Sequence, residues 1–124
     1  MKPSFPRARG RTRKQPGQMN RQEAEYRQRL IDDPAVFSVD YERITLKLAD
    51  DTRYTPDFFV LMKDGLIELH EVKGFMEDHA RVKIKVAAEM FPMFAFMLAR
   101  KRAKKDGGGW DIKRVGETER STEQ

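Results

Sequence analysis

Three charged residues near the middle of the chain stand at spacings that let them share one site: Asp57, directly after Pro56, and Glu71 and Lys73, separated by a single residue. Side chains two apart on a strand point to the same face, roughly 6 to 7 Å apart along the chain. Glu71 and Lys73 therefore project together, while Glu68, His70 and Val72 face the other way. The segment Lys63, Asp64, Gly65 reads as a hairpin turn that lays Asp57 beside them on the neighbouring strand. Two carboxylates held close repel each other and raise a pKa unless a divalent cation lies between them, and an adjacent lysine limits the accumulated charge. Phosphodiester hydrolysis needs that combination. A Mg²⁺ ion is held by a few carboxylates at about 2.1 Å with open water positions, and a cation stands near the attacking water or the developing charge.

The elements that must position these residues follow from apolar periodicity. Asn20 can cap a helix over about 21–31, stopped before Pro34. On it Glu23, Tyr26 and Leu30 fall at i, i+3 and i+7, which puts a carboxylate on the apolar stripe. Ile44, Leu46 and Leu48 alternate with Thr45 and Lys47 as in a half-buried strand, Asp50 and Asp51 turn the chain, and 54–62 and 66–73 follow as two more strands of an antiparallel meander. Gly74 ends the meander. Asp78 can cap a helix over about 79–91, with Val82, Val86 and Met90 at i+4 spacing and Ala87 and Phe91 beside them, stopped by Pro92. The apolar run 93–98 reads as a covered strand returning parallel to the third strand, against a continued buried helix. Gly107 to Gly109 turn the chain into an edge strand over 110–115. The order is α-β-β-β-α-β-β.

Tyr54-Thr55-Pro56-Asp57-Phe58 followed by Glu71-Val72-Lys73-Gly74 resembles the signature of the PD-(D/E)XK nuclease superfamily, within it a small phage-borne, endonuclease-like family. The resemblance spans roughly residues 19–115 and implies an α/β fold: a restriction-endonuclease-like αβββαβ core, a central mixed sheet flanked by helices. It implies that Asp57 and Glu71 ligate Mg²⁺, or Mn²⁺ in its place, with help from the Val72 carbonyl. Lys73 would orient or activate the water, and Glu23 would complete the site from the first helix, with Glu42 as a substitute. Phosphate contacts would fall to Arg81 and Lys85, one turn apart on the second helix. The implied activity is a metal-dependent endonuclease on DNA, selective for branched structure or without sequence preference. A homodimer would let it cut two strands. The other readings are a non-catalytic nucleic-acid-binding module on the same fold and an RNA-processing nuclease.

Composition narrows the alternatives. The 124 residues, 39% apolar and 36% charged, suit one domain with a real core. The absence of Cys removes disulfides and thiolate sites, and two histidines are too few for a zinc site, so any metal is a hard one bound through oxygen. His70 and His79 read as ordinary residues, and the seven Met as core filler. No apolar run is long enough to span a bilayer and the N-terminus lacks a signal-peptide core, so the expectation is a cytoplasmic protein, in a bacterial host if phage-borne. Of the net charge of +5, residues 1–18 carry +6, including Arg11, Arg13 and Lys14, so the remainder sums to −1. This Pro- and Gly-containing stretch reads as a flexible basic arm for phosphate backbone, and 116–124 as a disordered tail. Arg100, Lys101, Arg102, Lys104 and Lys105 read as a second backbone-binding segment, in a loop.

Overall fold

The computed structural model describes residues 17–73 and 78–116, with 78–80 as backbone only. The fold is α/β: a five-stranded mixed sheet carries one helix on each face, and a two-stranded ribbon lies beside the second helix. The expected arm at 1–18 falls almost wholly outside the described residues, as does the tail beyond 116.

Helix α1 (Arg21–Asp32) begins with a reciprocal cap. The Asn20 side chain accepts from the Glu23 N–H at 2.8 Å, and the Glu23 carboxylate accepts from the Asn20 N–H at 2.9 Å. The expected stripe is the one that is buried: Glu23, Tyr26 and Leu30. The helix seals the sheet face formed by Phe58, Val60, Val72 and Ala99.

Strand β1 (Val36–Tyr41) leads into the ribbon β2 (Leu46–Lys47) and β3 (Arg53–Tyr54), then β4 (Phe58–Met62) and β5 (Ile67–Lys73). This corrects the expected meander in two respects. The first strand of the sheet is β1, paired antiparallel with β4 from Tyr41 opposite Phe58 to Val36 opposite Met62, and not the segment 44–48. A register shift between Val36 and Ser38 breaks the alternation of β1 and leaves Phe37 69% exposed, which hides the strand from a period-2 reading. Residues 44–48 do bury Leu46 and Leu48, but against Tyr54, Leu69 and Phe96, with only two residue pairs of ladder. The expected strand 54–62 is broken at 55–57, because Pro56 has no N–H to donate and holds the residue before it extended. Glu42 (φ 49°) ends β1, and its N–H donates to the Asp57 carbonyl at 2.8 Å.

Strand β6 (Ala95–Lys101) runs parallel to β5, as expected, across the helix α2 (Asp78–Met90), and β7 (Trp110–Arg114) forms the far edge; the sheet order is β1-β4-β5-β6-β7. β6 begins and ends later than the expected 93–98, so Arg100 and Lys101 are strand residues and not loop residues. Asp78 opens the helix instead of preceding it. The buried face of α2 differs from expectation in part. Ala87 and Phe91 lie on it as expected, together with Ile84 and Ala88, whereas Val82, Val86 and Met90 are 64%, 38% and 45% exposed. Ile84, Ala87 and Phe91 also form an i, i+3, i+7 stripe, and the small Ala87 lets the helix settle onto Leu69 and Phe96. Lys83 ties the helix to the ribbon through the Arg53 carbonyl at 3.0 Å.

Candidate active site

The break at Pro56 builds the site. Where β4 begins, the chain peels away from the ladder, and Asp57 is reached from both layers of the fold. The Asp57 Oδ2 accepts from the Val72 N–H on the neighbouring strand at 2.8 Å, so the carboxylate is clamped to β5 one residue from Glu71. On the side of α2, the Tyr54 hydroxyl from the ribbon donates to Glu71 Oε1 at 2.8 Å. On the side of α1, the Tyr41 hydroxyl donates to Glu23 Oε1 at 2.9 Å, and the Glu23 carboxyl shares a hydrogen bond with Asp57. Glu23, Asp57 and Glu71 are 4%, 8% and 8% exposed.

Three carboxyl groups in so dry a place do not all ionise easily. Burial, with the Glu71 charge beside it, pushes Asp57 up to about 9; the Val72 N–H works in the opposite direction, and Glu23 adds to the rise. Burial and then the Glu71 charge also push the Tyr54 phenol well above its ordinary range, which keeps it a donor. The site thus favours positive charge placed among its carboxylates, and the proton that Asp57 retains is one form of it. Among the described residues no set of three His, Asp or Glu side chains converges on one point as ligands would. The donors that fit an oxygen-ligated ion are Asp57 and Glu71, and Mg²⁺ is commonly held by one or two carboxylates with water completing its shell.

Of the other expected residues, Lys73 lies half-buried at the end of β5, on the same face as Glu71, and lines a cleft with Arg81 and Arg100. Val72 contributes its N–H. Glu42 turns outward and accepts from the Gly17 N–H at 3.3 Å. Lys85 is exposed on α2. The cation segment 100–105 is largely occupied with its own fold: Lys101 pairs with Glu25, Arg102 with Asp111 at 3.0 Å and with the Gly108 carbonyl at 2.8 Å, and Arg100 with Asp111 at 3.7 Å. Arg102 lies in the loop that follows β6, and Lys104 and Lys105 are exposed in a short 3₁₀ turn, so these three keep the expected loop character. Arg11, Arg13 and Lys14 lie outside the described residues.

Sequence reading missed the tyrosines. Tyr54 and Tyr41 stand among apolar residues with nothing in their spacing to mark them, yet a buried tyrosine hydroxyl needs a partner, and these two find carboxylates. His70 faces away from Glu71 as expected, but it is not an idle residue. It is 4% exposed, with Nδ1 2.7 Å from the Tyr26 hydroxyl and Nε2 2.8 Å from Glu68 Oε1. This chain of contacts ties α1 to β5 one turn from Glu23. Comparison of the chain with protein-family models, with curated proteins and with solved structures finds no match in any of the three.

Proposed function

We propose that the chain is a metal-dependent endonuclease that hydrolyses DNA phosphodiester bonds, structure-selective or without sequence preference, on a restriction-endonuclease-like core. The element order supports the core: α1, the antiparallel trio β1, β4 and β5, then α2 and a β6 parallel to β5, with the ribbon β2–β3 as an addition. The observation that carries the function is the buried pair Asp57 and Glu71, held in place by Val72 and Tyr54 at the end of a strand whose next outward-facing residue on that side is Lys73. A merely structural surface has no reason to clamp two carboxylates together out of water, where each raises the cost of ionising the other.

Asp57 and Glu71 would hold Mg²⁺, or Mn²⁺ in its place, and the bound ion supplies an acidified water and charge for the phosphate oxygens. The protein's own contribution is positional. Tyr54 fixes the rotamer of Glu71, Val72 and Glu23 fix Asp57 from two directions, and Lys73 presents an ammonium to the phosphate or the attacking water. No helix of the described residues is long and apolar enough to cross a membrane. A second copy of the chain would supply the second cut on a duplex.

The test is incubation of the purified chain with supercoiled plasmid, a four-way junction and RNA, each with Mg²⁺, Mn²⁺ or EDTA. Nicking of DNA with either ion and none in EDTA is expected. DNA left intact under both ions would refute the proposal, preferential loss of RNA would move the substrate, and cutting in excess chelator would remove the metal from the mechanism.

A further inference from the structure

The register of the sheet places two rows of side chains on the face that α2 partly covers. One runs from Lys73 on β5 through Arg100 on β6 to Asp111 on β7, and the row beneath it from Glu71 through Leu98 to Lys113. A third row, Leu69 and Phe96, is the one that the helix seals. Among the described residues Lys73, Arg100 and Asp111 of the first row and Leu98 and Lys113 of the second line a cleft of about 230 Å³ with Arg81 at its rim, while Glu71 is buried.

The charge in this cleft is one-sided. Lys73, Arg81, Arg100 and Lys113 line it, with Asp111 the single acid. Asp111 is already engaged, by Arg102 at 3.0 Å and by Arg100 at 3.7 Å. The side chains of Lys73, Arg81 and Lys113 make no hydrogen bond or ion pair with the described residues, although charged neighbours are available on both strands. Like charges gathered without counter-charges are unfavourable unless an anion joins them, and a cleft lined by one sign concentrates the opposite one. The volume lies below the roughly 300 to 1,000 Å³ of pockets that enclose a whole small molecule. It suits a sugar and its phosphate. Leu98 offers the sugar an apolar floor, and the cations surround the position of the phosphate.

We infer that this cleft seats an interior nucleotide of a DNA strand, the one that flanks the phosphodiester held at Lys73, so that the strand leaves the site across β6 and β7 with its next phosphate among Arg81, Arg100 and Lys113. The cleft assigns the path of the strand, which the carboxylates alone leave open. Its position relative to a cut bond rests on the nuclease reading; its affinity for the strand does not. Because the contacts are to backbone and sugar, the cleft does not discriminate sequence.

The experiment measures binding of a fluorescent single-stranded dT₁₂ to the full chain in EDTA by anisotropy over a range of NaCl concentrations. Lys113→Glu and Arg81→Glu are compared with Lys63→Glu, an equal charge reversal in the β4–β5 turn at the opposite end of β5 from Lys73. All three positions are exposed or half-exposed, and circular dichroism verifies the fold. Each cleft variant should bind at least tenfold more weakly than the Lys63 variant, and its log–log salt slope should be shallower by about 0.7, the value for one lost contact to a single strand. Affinities and slopes equal to those of the Lys63 variant would overturn the inference. Strands with 5′-phosphate and 5′-hydroxyl ends should bind alike; a tenfold preference for the phosphorylated end, lost in Lys113→Glu, would show a terminal-phosphate site and refute the interior one. A chain that binds as described and never cuts DNA keeps the cleft and loses the nuclease. One that cuts with Mg²⁺ while its cleft variants bind normally does the reverse.

Discussion

Replacing Asp57 by Asn should flatten the pH dependence of stability in the metal-free protein. In the folded chain burial, Glu71 and Glu23 together hold the Asp57 proton until about pH 9, against an ordinary value of 3.8. Between those two limits the folded state keeps a proton that the unfolded state has released, so stability is greatest at the acid end and falls as pH rises. The slope for one such proton is about 1.36 kcal/mol per pH unit, so the step from pH 5 to pH 7 costs the fold about 2.7 kcal/mol through this group alone. That figure requires only that the folded value lie above 7. In a domain of this size 1 kcal/mol moves the melting temperature by roughly 4–8 °C, which makes the step worth about 10–20 °C. Asparagine has no proton to lose there and still offers an oxygen to the Val72 N–H.

Thermal melts in EDTA at pH 5, 6 and 7 should therefore show the wild-type curve falling more steeply than that of Asp57→Asn by about that amount. Adding Mg²⁺ at pH 7 should raise the wild type towards its pH 5 value and leave Asp57→Asn nearly unmoved, since an ion among the carboxylates does the work of the proton. Parallel pH curves for the two proteins would mean that Asp57 is already ionised in the fold, and the argument for a cation-seeking site would fail with it.

Glu71→Ala should abolish both calorimetric ion binding and cleavage, whereas Lys73→Ala should bind the ion at least as well and cleave more slowly by about 100-fold or more; normal cleavage by Lys73→Ala would dismiss the lysine's role. His70→Ala orphans the buried Tyr26 hydroxyl, so a stability loss of roughly 1–3 kcal/mol is expected in a urea melt, together with weaker ion binding as α1 and Glu23 loosen; a wild-type melt would show the contact to be idle. Removing residues 1–18, which hold six cations and no acid, should weaken DNA binding and reduce the log–log salt slope on duplex by up to about 5, with the melting temperature unchanged. An unaltered slope would show that the segment does not touch nucleic acid.

What could be read beforehand was whatever depends on a local period or a local cap. The capped start of α1, the strand 67–73 with Glu71 and Lys73 on one side, the hairpin at Lys63 to Gly65 and the parallel return of β6 all rest on near neighbours in the chain. What could not be read depended on partners far away in sequence. β1 carries a bulge that destroys its alternation, and its identity as a sheet strand comes from β4, some twenty residues on. The side of α2 that is buried was decided by Leu69, Phe96 and the ribbon beneath it, which chose Ile84 and Ala87 over the equally regular row of Val82, Val86 and Met90.

The same distinction runs through the site. Asp57 and Glu71 were legible as a pair because a hairpin joins them, yet two of the three carboxylates are held by residues that no spacing points to: Glu71 by Tyr54, across the break at Pro56, and Glu23 by Tyr41, at the end of an unpredicted strand. These tyrosines explain how a marginally stable chain tolerates three buried carboxylates, since every hydroxyl that donates into the cluster offsets part of the desolvation that burial imposes. They also limit the cluster's tolerance for change. Tyr54 keeps its proton because burial and Glu71 raise its pKa, so it serves as a donor throughout the pH range in which Asp57 changes state. Glu71 is therefore anchored by Tyr54 through that range, and it is the charge of Asp57 that would follow the occupancy of the proposed site.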